Sequence, residues 1–267
     1  MILISSLLDN YYKIRLKNAN YRKRVFSDAI DRKLRHTKLG RILLRNLNEA
    51  MARNTELHTE LKELTGSCDY QQVFWESDLG YMWYQGNLRA QNKFFNYAYQ
   101  EISQHSYESV WDIGCGWGEF IDKAASLASV KRALGTDIAE NIIVQARQNH
   151  PRSKALFEYK DASRITEKFD LVTLFGSTDY IEPDAFAALL EKIIAQAGKQ
   201  LIIVNSLRNI SWEQALALEK ALEIKRYDTG YVQPLNFLAS TLKARYNFTY
   251  TIEKAGLDSA LLSITKN

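Results

Sequence analysis

From about residue 105 onward, short apolar runs alternate with stretches in which apolar side chains recur every three to four positions. "SVWDIG" reads as a strand and is followed by a helix over Glu119–Ala128. "KRALGTD" is a second strand, with the helical "AENIIVQARQ" closing before Pro151. "ALFEYKD" gives a third strand. "FDLVTLFG" gives a fourth, apolar nearly throughout, as a strand covered on both faces must be. Pro183 suits a helix N-terminus, and "FAALLEKIIAQAG" then runs to Gly198 as its expected C-cap. "QLIIVNSL" is a fifth strand. The tail, "NFTYTIEKAG" and "DSALLSITK", reads as two antiparallel strands turning near Gly256. Strand and helix in regular alternation predict an α/β fold, a parallel sheet with helices on both faces.

The N-terminal part follows a different pattern. Residues 7–64 show helical periods, no proline and only Gly40 among glycines. Leu43, Leu47, Ala50, Asn54, Leu57, Leu61 and Leu64 step alternately by four and three, the seam of a coiled coil with Asn54 at an a position. The flanking Asn46, Met51, Arg53 and His58 offer no convincing salt bridges, so two readings stand: a helix packed on its own domain, or a homodimer through these helices. Thr65-Gly66 is a helix stop. A boundary near Gly66 therefore separates a basic helical extension, 1–65, from a catalytic part, 66–267. Within the latter, 66–105 is expected as a helical lid and 208–240 as a cover inserted before the terminal hairpin.

Charge sharpens that boundary. Residues 1–50 hold 12 Lys/Arg against 4 Asp/Glu, leaving 23 against 27 for the rest of a chain whose net charge is +4. Lys13, Arg15, Lys17, Arg22, Lys23 and Arg24 form either a solvated helix face or a surface for phospholipid head groups, an anionic glycan or nucleic acid. The acidic balance of the catalytic part makes nucleic acid the least favoured of these. The 267 residues, 46% hydrophobic, are enough for a sizeable core. Cys68 and Cys115 show no metal or redox spacing, which fits a reducing, cytoplasmic setting with at most peripheral contact at the inner membrane surface. "MILISSLL" is too short for a signal-peptide core, and no apolar run nears the roughly 20 residues needed to span a bilayer.

The chemistry concentrates at "VWDIGCGWG". Gly114, Gly116 and Gly118 lie where the first strand meets its helix, the end of an open sheet at which ligands bind. Glycines there serve a sharp turn or a close approach. Alone the spacing is weak, and a ligand-free turn would also explain it. Three acids at successive strand ends strengthen it. Asp112 precedes the loop, Asp137 lies 19 residues beyond Gly118 and is placed to accept from ribose hydroxyls, and Asp161, followed by small Ala162, suits an adenine amino group. A nicotinamide dinucleotide would want a glycine where Glu119 stands, and a carboxylate there repels a pyrophosphate. The loop therefore suits a ligand without phosphates.

"VWDIGCGWG", "GTDIA", "YKDAS" and "FDLVTLFGSTDYIEPDAF", in this order, resemble the successive motifs of class I S-adenosylmethionine-dependent methyltransferases. The resemblance covers residues 80–267 and implies a seven-stranded Rossmann-like sheet with an antiparallel terminal hairpin. By position it implies that Asp112, Gly114, Cys115, Gly116 and Gly118 cradle the methionine part of the donor. Asp137 with Ile138 would hold the ribose, Asp161 and Ala162 flank the adenine, and Phe175 and Gly176 line the donor near its sulfonium. "LFGSTDYIEP" is also loosely similar to bacterial methyltransferases of sugars and surface polysaccharides.

A sulfonium is already a good leaving group, so the protein mainly aligns the reactants and excludes water. A hydroxyl acceptor still benefits from a base. Asp179 and Tyr180, just past the fourth strand, are the candidates to meet it, with Asn205 to orient it; a loop or cap role also fits Asp179. Arg89 is a candidate partner for the donor's carboxylate. Tyr81, Trp83 and Tyr84, and later Trp212, Tyr227, Tyr231 and Phe237, are either core or acceptor contacts. None of the four histidines ends a strand, and no metal-ligand cluster is seen. "GSTDY" in place of an Asn-Pro-Pro-Tyr-type sequence favours an oxygen or small-molecule acceptor. Three functions are weighed: methyl transfer to a sugar, glycan or other small polar acceptor; a donor-binding module acting in assembly; and, more weakly, RNA methylation.

Overall fold

The structure, a computed structural model, describes residues 78–267 apart from 208–212, 216, 218–225, 228–229 and 256–258. The basic helical extension, the coiled-coil seam and the Gly66 boundary lie outside the described residues, as do Trp212 and the Gly256 turn. The side chains of Tyr81, Trp83, Tyr84, Arg89, Tyr227 and Tyr231 likewise lie outside them. Two compact units divide at Ala90 and Gln91. Of the first, only helical backbone from Asp78 is described; the second holds the whole sheet.

Helix α1 spans Asp78–His105 and leads into β1 (Ser109–Ile113), α2 (Glu119–Ala125), β2 (Arg132–Asp137), α3 (Glu140–Asn149) and β3 (Leu156–Tyr159). The chain then crosses back to β4 (Phe169–Phe175), α4 (Pro183–Gln196) and β5 (Ala197–Ser206). It closes with α5 (Leu235–Lys243), β6 (Phe248–Lys254) and β7 (Ser259–Lys266). A minor two-residue ladder pairs Arg226–Tyr227 with Gly230–Tyr231. The strands β3-β2-β1-β4-β5-β7-β6 form one seven-stranded sheet. All pairs are parallel except β5–β7 and β7–β6, so the expected seven-stranded Rossmann-like sheet with its antiparallel hairpin is the fold observed. Strand order reverses between β1 and β4, which places a crevice at their carboxyl ends.

The pleat decides what each face holds. Trp111 and Ile113 of β1, with Val172 and Leu174 of β4, face a core closed by Phe186 and Leu190 of α4. Trp111 is fully buried, and its indole nitrogen donates to Thr136 Oγ1 at 2.9 Å. The opposite face carries Asp112, Thr173 and Phe175. There Phe175 meets Phe95 of α1 and Phe120 of α2 edge-on, with ring centroids 5.1 and 4.9 Å away.

Three boundaries differ from the sequence reading. Gly198 does not cap α4: the helix ends at Gln196 and β5 begins at once, Ala197 pairing with Phe169. A Cβ on Gly198 would come within 3.1 Å of the Phe169 carbonyl, so close strand approach explains this glycine. Helix α2 stops at Ala125, where the Ser126 hydroxyl donates to the Lys123 carbonyl at 2.6 Å and closes the last turn. Asp161 lies outside β3, at the head of the 3-10 turn Ala162–Arg164. No described helix is long and apolar enough to cross a membrane.

Candidate active site

The loop after β1 is held from below by one carbonyl. The amides of Gly114 and Cys115 both donate to the Thr136 oxygen, at 2.8 and 3.0 Å. Gly114, Gly116 and Gly118 have φ of 66°, 56° and 91°, the left-handed region that side chains with a Cβ resist. Two of them are also crowded. A Cβ on Gly114 would stand 2.5 Å from Ser177 Cβ, and one on Gly118 would stand 2.5 Å from the Phe157 ring. Replacing Gly118 by alanine is therefore expected to destabilise the protein by about 2 kcal/mol, read as a lowered urea midpoint at unchanged slope.

Asp137 closes the loop from the end of β2. Its carboxylate accepts the Gly116 amide at 3.2 Å and the Ala139 amide at 3.0 Å. Burial raises this acid to about 6 against the pull of those amides. Its edge is still partly open to solvent, which moderates the push. Asp112 is 2% exposed and receives the Thr173 hydroxyl at 2.7 Å. Burial lifts it to about 8; Thr173 opposes the rise, and the charges of Asp137 and Glu119 add to it. The same carboxylates, together with burial, push the Cys115 thiol well up, which leaves it un-ionised and inert inside the loop.

Farther along the crevice, Asp161 Oδ1 accepts the Ser163 amide at 2.8 Å and caps the short turn, leaving Ala162 buried beneath it. Ile138 is 55% exposed beside Asp137, an apolar surface next to that acid. Gly176 turns with φ 76° at the end of β4, its amide bonded to the Val204 carbonyl at 3.0 Å. The Phe175 ring is buried against Phe95 and Phe120, under the crevice floor. Arg89 is placed only as a residue of α1.

The residues expected near the acceptor do come together, in an arrangement the sequence did not show. Asp179 and Asn205 are buried, at 4% and 1% exposure. Asn205 donates to Asp179 Oδ1 at 2.5 Å, and the Ser206 amide donates to the same oxygen at 3.0 Å. Asn205 also reaches Thr178 Oγ1 at 3.1 Å. Tyr180, on the same 3-10 turn Ser177–Tyr180, is half-buried.

Sequence reasoning missed Thr173, Ser177 and Gln233. Thr173 had a signal: it is the lone hydroxyl in an apolar strand, and the parallel register sets it opposite Asp112. Ser177, whose hydroxyl donates to the Ile113 carbonyl at 3.2 Å, and Gln233 had none. Among the described residues no group of three or more His, Cys, Asp or Glu is arranged to hold a metal.

Residues 110–198 match the family model of a methyltransferase domain. Curated protein sequences give no match. Solved structures do. The plantazolicin methyltransferase BpumL in complex with SAH is 14% identical, with 83% of this chain and 100% of that chain covered and a TM-score of 0.55. The DhpI–SAH complex is 13% identical, covering 74% and 95%, at 0.54. Magnesium protoporphyrin IX methyltransferase (ChlM) from Synechocystis PCC 6803 with bound SAH is 14% identical, covering 79% and 99%, at 0.52. At such identities likeness to a structure establishes the fold, and the methyltransferase-domain model matches one third of the chain. Together the domain match and the sheet order support a class I S-adenosylmethionine-dependent methyltransferase of Rossmann-like fold.

Proposed function

We propose that this chain transfers the methyl group of S-adenosylmethionine to an oxygen of a small polar acceptor, with a sugar or glycan hydroxyl as the preferred class. The observation that carries the donor half is the Gly116–Asp137 contact, in which a positive-φ glycine loop is bound to a strand-end carboxylate. Bound there, the donor supplies an electrophilic methyl on a sulfonium. Asp137 with Ile138 would hold the ribose, Asp161 and Ala162 would flank the adenine, and the loop from Gly114 to Gly118, with Asp112 behind it, would hold the methionine part. Phe175 supports the floor, and Gly176 lets the chain turn away from it.

Support for an oxygen acceptor comes from the carboxylate that follows β4. Hydrogen bonds from Asn205 and from the Ser206 amide satisfy one oxygen of Asp179 and fix the direction of its carboxyl group. A carboxylate so placed is suited to take the proton of a hydroxyl, with Tyr180 lining the approach. Asparagine at position 179 preserves the oxygen that accepts from Asn205 and Ser206. Asp179→Asn is expected to lower turnover at least tenfold while leaving donor affinity unchanged. Unchanged turnover would remove Asp179 as the base.

The reading is tested by supplying S-adenosylmethionine with monosaccharides, nucleotide sugars and oligosaccharides and following S-adenosylhomocysteine by mass spectrometry. Product formation that depends on one of these acceptors supports it. Turnover with RNA and with none of the sugars would favour the RNA alternative, and donor binding without turnover on either would favour the assembly module.

A further inference from the structure

Between the turn after β4 and the segment entering α5 lies a polar cluster centred on Gln233, which is 2% exposed. Its backbone amide donates to Asn205 Oδ1 at 2.9 Å. Its Nε2 donates to two carbonyls of the turn, Thr178 at 2.9 Å and Ile181 at 2.8 Å. Both amide hydrogens are therefore used, which fixes the orientation of the side chain. Oε1 faces inward, buried and without a hydrogen-bond partner. An unmet buried carbonyl costs on the order of 1–3 kcal/mol, so stability alone is a poor account of glutamine at this position.

The far side of the same turn rests on the donor loop. Ser177 donates to the Ile113 carbonyl at 3.2 Å, and its Cβ fills the space that a Cβ on Gly114 would need. The turn Ser177–Tyr180 is thus clamped between the glycine loop on one side and Gln233 on the other. We propose that Gln233 is a positioning residue that holds this turn against the glycine loop and so couples the segment entering α5 to occupancy of the donor site. The inference rests on the donor-binding reading above. Gln233 acts through the carbonyls of Thr178 and Ile181.

The test compares wild type with Gln233→Met, which keeps length and volume but not polarity, and with Gln233→Glu, which keeps an oxygen and loses both N–H donors. S-adenosylhomocysteine affinity is measured by calorimetry well below each variant's Tm. At least tenfold weaker binding in both variants is expected. A lowered Tm with unchanged affinity would mean a purely structural role and overturn the proposal. A second measurement needs only wild type: amide hydrogen exchange with and without S-adenosylhomocysteine. Protection gained together at 114–118 and 177–181 supports coupling, and protection confined to 114–118 overturns it even if the variants fail to fold. A wild type that binds neither S-adenosylmethionine nor S-adenosylhomocysteine overturns the donor reading itself. That result is distinct from a wild type and variants that all bind equally well.

Discussion

Asp137→Ala is expected to weaken S-adenosylmethionine and S-adenosylhomocysteine binding by about a hundredfold. Each hydrogen bond to a charged group is worth about 1.5–3 kcal/mol, and a carboxylate that takes both ribose hydroxyls supplies two. The alanine also releases the amides of Gly116 and Ala139, so the loop loses the anchor that shapes it. Asp137→Asn separates these effects. It keeps one carbonyl oxygen for a backbone amide and should recover part of the affinity. Calorimetric titration of both variants against both ligands checks the order: wild type tightest, asparagine intermediate, alanine weakest.

The second large effect concerns pH. Asp112 is raised from its ordinary range to about 8 in the folded protein, first by burial and then by the charges of Asp137 and Glu119, against the Thr173 hydroxyl. Tyr99 is itself pushed up, first by burial and then by the charges of Asp112, Asp122 and Glu119, so it adds no charge near neutrality. The folded state therefore keeps a proton on Asp112 that the unfolded chain gives up near pH 4. Stability from this group is full at acid pH, falls as pH rises, and is gone above about 8. Asp137, raised to about 6, contributes in the same direction over a lower window. Across pH 6.5 to 8.5 the ligand-free protein is expected to lose on the order of a few kcal/mol. Asp112→Asn, which keeps an oxygen for Thr173 and never ionises, should flatten most of that loss. Urea denaturation at both ends of the window decides it. Equal slopes against pH for wild type and Asp112→Asn would show that Asp112 is ionised throughout.

These residues also show which parts of the molecule could be read from the sequence. The sheet was legible because buried parallel strands leave nearly continuous apolar runs, as β4 does from Phe169 to Phe175 with only Asp170 and Thr173 breaking it. The glycine loop and Asp137 could be singled out because the signal is local, a glycine loop at one strand end and an acid at the next, whereas Asp161 proved to head the turn beyond β3. Gly198 misled because a glycine after a helix has two explanations, a cap or a close approach, and only the Phe169 carbonyl distinguishes them. The residues expected near an acceptor could be singled out from sequence, but their arrangement could not. Asp179 and Asn205 were singled out separately, 26 positions apart, and no sequence pattern says that one holds the other. Gln233 is farther still, its contacts reaching back 55 residues to Thr178, and it became visible only when the turn and the segment before α5 were brought together. The Phe175 ring could be placed at a strand end from sequence, but its burial against Phe95 and Phe120 depends on two helices whose packing the motif does not encode.

The central claim is that the glycine loop and Asp137 bind a sulfonium nucleoside and not a dinucleotide. The most direct measurement is calorimetric titration of the wild-type chain with S-adenosylmethionine, S-adenosylhomocysteine and NAD under one set of conditions. Micromolar binding of the first two with no heat from NAD is the predicted result. Binding of NAD alone would contradict it, because the carboxylates of Glu119 at the third fingerprint position and of Asp137 at the end of β2 would then be facing a pyrophosphate.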